Sequence, residues 1–148
     1  MALIDKLIMQ RQKLLLMAAL GFALWQGGQL LTKIAPNDDT ANAIALAMTL
    51  AGAFQWAACS FGFIHFSRKA KPEMEALNDE LTCLNRRKAY TFGYVLLMGV
   101  ISLLFAVNAI LAQTSFPALN ADIVIHSFFI IGIVLPILYF VWLERDNG

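Results

Sequence analysis

The chain has 148 residues, of which 59% are hydrophobic and 14% charged, with a formal net charge of +1. Soluble domains usually carry about 25% charged residues, so this composition argues against a soluble globular protein. The small net charge excludes little, because the information lies in how the charges are distributed. No Asp, Glu, Lys or Arg occurs in 14–32, 40–67, 89–121 or 123–143. Each tract is long enough to cross a hydrocarbon core of about 30 Å, which takes roughly 20 apolar residues. The buried helices of a soluble bundle would keep a polar face, and these tracts have none. The sequence therefore predicts an all-α integral membrane protein, a single membrane domain over 1–148 with spans at about 14–34, 41–66, 89–112 and 122–143.

Residues 2–13 form an amphipathic start, with Leu3, Ile4, Leu7 and Ile8 on one helical face. This segment either lies on the membrane surface or prolongs the first span. The first tract lacks a small-residue cleavage site and is expected to be retained. Pro36 and the Asn37-Asp38-Asp39-Thr40 run mark a tight turn, after which Thr40 is the expected cap of the second helix. Ala19, Ala23 and Gly27 on the first helix, and Ala45, Thr49, Ala53 and Ala57 on the second, recur every four residues. Such small-residue ridges allow close helix contact within lipid.

Between the second and third spans, Pro72 suits a first helical turn, and Glu73 and Glu75 favour its dipole. Met74, Leu77, Leu81 and Leu84 follow with a coiled-coil spacing. The reading is one helix from about Pro72 to Ala112, on the order of 60 Å long at 1.5 Å per residue. Its first part, about 72–88, would be a stem projecting from the membrane. Ser115, Pro117 and Asn120 mark the next loop, and Pro136 is expected to kink the fourth helix. Tyr139 and Trp142 suit a membrane–water interface.

Ten of the 11 Lys and Arg residues fall on one side of a four-span topology: Lys6, Arg11, Lys13, Arg68, Lys69, Lys71, Arg86, Arg87, Lys88 and Arg145. Lys33 is on the other side. The positive-inside rule makes the basic side cytoplasmic, with both termini there, in a bacterial inner membrane. Cys59 and Cys83 would then sit at or near a reducing compartment, where a disulfide is not expected.

No carboxylate or base lies mid-span, whereas ion-coupled transporters usually place one there. The small multidrug exporters have this size and helix count but carry an acidic residue in their first helix; here that helix offers Gln26 and Gln29. By depth, Gln26, Gln29, Asn108 and His126 could form an intramembrane polar cluster. It would be either a ligand pocket or, the favoured reading, interhelical hydrogen bonding. His65 and His126 lie at opposite depths and cannot bind one haem within a monomer. No nucleotide-binding, metalloprotease or serine-hydrolase motif occurs. The reading assigns no enzymatic activity, no cofactor, no metal and no direct nucleic-acid binding.

The stretch from Asn78-Asp79-Glu80-Leu81 through Arg86-Arg87-Lys88-Ala89 to Phe92 resembles a pattern in small four-helix membrane proteins of prokaryotes. Leu81 stands where the commoner form has Arg. Some similar proteins are encoded beside compact helix-turn-helix transcription regulators and antagonise them at the membrane. The resemblance implies a regulatory or scaffolding protein that binds a cytoplasmic partner such as a transcription regulator. The expected partner-binding residues are Met74, Leu77, Asp79, Glu80, Leu81, Leu84, Arg86 and Arg87. A homodimer through the same seam is also expected, since membrane anchoring raises effective concentration. A small dimeric transporter and an accessory subunit of a larger membrane complex are the competing readings.

Overall fold

A computed structural model describes residues 3–111, 113–114 and 120–146, and these are almost entirely helical. Helix α1 spans Leu3–Ile34 and α2 spans Asp39–Lys69. A 3-10 turn at Lys71–Glu73 and the four-residue α3, Met74–Leu77, lead to α4, Glu80–Leu111. Helix α5, Ala121–Phe129, passes through a π turn at Ile130–Val134 into α6, Leu135–Asp146. Among the described residues, four helices, counting α5 to α6 as one, are long and apolar enough to cross a membrane. The chain is accordingly a multi-pass membrane protein. Ala112, Ser115 and Pro117, expected at the end of the third span and in the following loop, lie outside the described residues.

The amphipathic start prolongs the first helix, since α1 is continuous from Leu3. Helix α1 is the hub. It packs along α2 and also touches α3, α5, the π turn and α6, whereas α4 rests chiefly on α6 and the π turn. The α1–α2 contact is close because glycine faces backbone. A Cβ on Gly28 would fall 2.6 Å from the Ala45 carbonyl oxygen, and one on Gly52 would fall 2.6 Å from that of Gly21. The contacting residues of α2, Ala45, Thr49, Gly52 and Trp56, repeat with heptad spacing. The expected ridge is therefore right at Ala45 and Thr49 and one residue off on α1, where Gly28 rather than Gly27 meets the partner backbone. Ala57, also expected in the ridge, is exposed. A 3.5-residue repeat keeps two long helices in register, and a strict four-residue ridge drifts away from the contact.

Thr40 is not the cap of α2. Asp38 is, its carboxylate accepting from the Ala41 N–H at 3.0 Å. Thr40 is the second residue of the helix, past the cap position. Asn120 caps α5 in the same way, accepting from the Asp122 N–H at 2.9 Å.

Around Pro136 the fourth span takes a π turn. Proline lacks the N–H that an α-helix needs and its ring crowds the carbonyl four residues back; a π turn just upstream relaxes that crowding. The ring of Pro136 is buried and occupies the place a side chain at Gly93 would take. Gly93 thus lets α4 dock on α6.

The long stem predicted over 72–112 is broken. Helix α3 ends at Leu77 and α4 begins at Glu80. Asn78 donates its side-chain amide back to the Met74 carbonyl at 3.0 Å. Asp79 accepts from the Thr82 N–H at 2.8 Å, the geometry of a new N-cap. Two successive short polar side chains each bind backbone locally, which competes with the continuous helical ladder.

Candidate functional site

The break at Asn78-Asp79 folds the inter-span connection back onto α1. Leu77 is only 2% exposed and packs with Leu7, Phe66 and Ala70, with Ile4, Ile8 and Leu14 against them. The amphipathic start of α1 thereby covers the seam at its centre. Of the residues expected to bind a partner, Leu77 is buried and Arg86 half-buried, and both face inward contacts. Met74, Leu81 and Leu84 are exposed, as are Asp79, Glu80 and Arg87. The four seam residues do not form one outward stripe, because the chain changes direction between Leu77 and Leu81. A homodimer through this seam would have Leu81 and Leu84 to use, without Leu77.

Charged groups converge where α1 begins and α6 ends. Arg11 forms an ion pair with Glu144, with side chains 12% and 4% exposed. Its other terminal nitrogen donates to the Leu77 carbonyl at 2.8 Å. One side chain therefore ties α1 to α6 and to the last residue of α3. Its guanidinium also lies 5.9 Å from the centre of the Phe140 ring, within cation–π range. Arg86, near the start of α4, donates to Oδ1 of Asn78 at 2.7 Å and clamps the elbow from the other side. It lies close enough to Glu144 to act on that carboxylate through space. Gln12 and Asn85 are buried at the same end. Among the described residues, Arg11 Nε and Asn85 Oδ1 are buried without a hydrogen-bond partner, while Gln12 stands beside the Glu144 carboxylate and favours its charged form. A helix end rich in such atoms is electrostatically demanding, since each lost hydrogen bond on a buried polar group costs about 1–3 kcal/mol.

At the elbow, the Thr82 backbone N–H and hydroxyl hold the Asp79 carboxyl below the usual carboxylate range, with a smaller contribution from Arg11. The acidic Asp79-Glu80 pair opens α4, where carboxylates suit the helix dipole.

Beside the ion pair lies a half-open cavity of about 230 Å³ whose walls come from all four long helices. Arg11 and Arg86 stand at its polar end, and Phe63, Tyr90, Ile137 and Phe140 form much of the apolar part.

At the other end of the molecule, His126 Nδ1 lies 2.7 Å from Gln26 Oε1, an arrangement in which the ring N–H donates to the amide oxygen. Phe22 packs nearby against Trp25, Trp56 and Phe129. Two of the four residues in the expected polar cluster therefore meet. Asn108 does not join them; it is exposed on α4, beside Ala121, Val124 and Ile125 of α5. Gln29 is half-buried on α1, and Lys33 pairs instead with Asp122 at 2.8 Å. Depth along the membrane brought these residues to one level, but helix rotation decided which of them touch. Cys59 is buried, Cys83 is exposed, and both are free thiols.

Sequence reasoning missed Arg11, Asn85 and Glu144. The basic distribution places Arg11 only as one more inner-surface charge. The signal that could have found it is Glu144, a carboxylate directly after the fourth apolar tract, set beside the basic pair Arg11 and Lys13 just before the first. Compared with known proteins, the chain matches no family, no curated protein and no solved structure.

Proposed function

We propose that this chain is a non-enzymatic regulatory or scaffolding protein of the bacterial inner membrane. Both termini and the connection from Ala70 to Lys88 face the cytoplasm, as the ten-to-one distribution of basic residues supports. The connection holds a cytoplasmic protein at the membrane, and the resemblance around Asn78–Phe92 makes a transcription regulator the first partner to test.

One observation carries this reading. Leu81 and Leu84, 43% and 47% exposed, stand on the charged first turns of α4, ahead of the apolar tract. They are one helical turn apart and adjoin Arg87 and Lys88. The elbow below them is pinned by Arg11 on the Leu77 carbonyl and by Arg86 on Asn78. A pinned surface loses little entropy when it docks, which favours binding. Apolar anchors with charged neighbours suit a helix-in-groove or groove-on-helix contact.

The test is co-purification in mild detergent, with wild type and a Leu81→Ser/Leu84→Ser double variant at matched membrane levels. The double variant is expected to lose the partner while remaining inserted, because both side chains already face water. Interface anchors typically contribute more than about 1 kcal/mol each, so retention should fall at least tenfold. Equal recovery with both proteins would defeat the reading.

A further inference from the structure

The cavity beside the Arg11–Glu144 pair has a chemical character that the docking surface does not share. It is about 230 Å³ and bounded by α1, α2, α4 and α6. This is smaller than a typical drug-sized site of about 300–1,000 Å³, and it suits a slender ligand.

The lining is of two kinds. Phe63, Tyr90, Ile137 and Phe140 are apolar or aromatic, and Arg11 and Arg86 are cationic. Glu144 pairs with Arg11 and is also felt by Arg86, so the two guanidinium groups share one close carboxylate. Arg86 donates to a neutral amide oxygen, that of Asn78, and among the described residues no ion pair joins it to a carboxylate. A half-buried guanidinium with one neutral acceptor has several N–H donors left, and guanidinium geometry suits an oxyanion.

The cavity also has an exit. Helices α2 and α4 barely touch each other, and the slot between them is bridged by α1 and α6. Phe63 on α2 and the exposed Tyr90 on α4 both line the half-open cavity. Arg86 and Tyr90 straddle the beginning of the third apolar tract, so the slot opens where hydrocarbon meets headgroups.

We propose that this cavity binds an anionic amphiphile, its oxyanion on Arg86 and its apolar chain along Phe63, Tyr90 and Phe140 into the slot between α2 and α4. The inference does not rest on the partner-docking reading. The shared chemistry is an oxyanion on an acyl chain, and it can come from a bilayer phospholipid or from a free fatty acid.

The experiment is native mass spectrometry of the full chain, released from mild detergent after incubation with one of three probes. These are oleate, phosphatidylglycerol and monoolein, the last having an acyl chain without charge. Wild type should retain one equivalent of an anionic probe at least tenfold better than monoolein. Retention of phosphatidylglycerol above oleate identifies a resident bilayer lipid, and the reverse identifies a free fatty acid; either supports the proposal. Arg86→Gln should bring the anionic probes down to the monoolein level. Ile137→Trp, which fills the apolar wall and leaves both arginines, should lower retention of every probe. Size-exclusion profiles matched to wild type show that the variants are folded. Equal retention of monoolein and the anionic probes by wild type overturns the proposal with no variant needed. Undiminished anion binding in folded Arg86→Gln or Ile137→Trp overturns it as well.

Discussion

Consider replacing Glu144 by Leu. The carboxylate is 4% exposed and its partner Arg11 is 12% exposed, so the ion pair is well shielded from solvent. Removing one member of a buried pair leaves an uncompensated charge, which typically costs about 3–5 kcal/mol. Arg86 adds to the cost, because its charge acts on the same carboxylate and would be left facing Arg11. Arg11→Met should be destabilising to a similar degree, since it strands Glu144 and removes the donor of the Leu77 carbonyl. The double variant Glu144→Leu/Arg11→Met strands no charge from the pair. It still leaves that carbonyl without its donor, a loss of about 1–3 kcal/mol. The double variant should therefore be more stable than either single one, with a coupling of at least about 2 kcal/mol. Reversible unfolding in mixed detergent micelles, followed by circular dichroism, gives the four stabilities of the cycle. Strictly additive single effects, or a Glu144→Leu cost under about 1 kcal/mol, would refute the assignment of this pair as the tie between α1 and α6.

Two further outcomes follow from packing and charge placement. Gly52→Ala should destabilise by about 1–3 kcal/mol, the usual penalty of overpacking, because the new Cβ would meet the backbone of Gly21 and Trp25; Gly99→Ala, with nothing within 4 Å of its Cβ, should be neutral or stabilising by up to about 1 kcal/mol in the same unfolding assay. A reporter active only outside the cytoplasm should work when fused after Asp39 and fail after Lys71, and activity at Lys71 would overturn the orientation derived from the basic residues.

The number of long helices and their approximate limits were written in the sequence, as were Ala45 and Thr49 of the small-residue contact, though not which glycine of α1 meets them. These are properties of composition along one dimension. A charge-free tract of about 20 residues has one stable use in a bilayer, and the glycines of α1 and α2 have one cheap explanation within it. The elbow at Asn78-Asp79 was also present, but it was read as part of a helix. Local side-chain caps there compete with helix propensity on nearly equal terms, and burial of Leu77 against Leu7 and Phe66 decides the outcome. Leu7 and Leu77 are 70 positions apart. No periodicity within one segment records that burial, and the spacing of Met74, Leu77, Leu81 and Leu84 pointed to a single exposed stripe. The polar contacts were settled in the same way. Gln26 and Asn108 are both amides in apolar helices, yet only the rotation of α1 against α5 sets one of them on His126. Arg11 and Glu144, 133 positions apart, meet because α1 packs against α6. The sequence by itself determined the helices; the tertiary structure alone decided which charges are buried together, because desolvation and pairing depend on distances between helices and not along them.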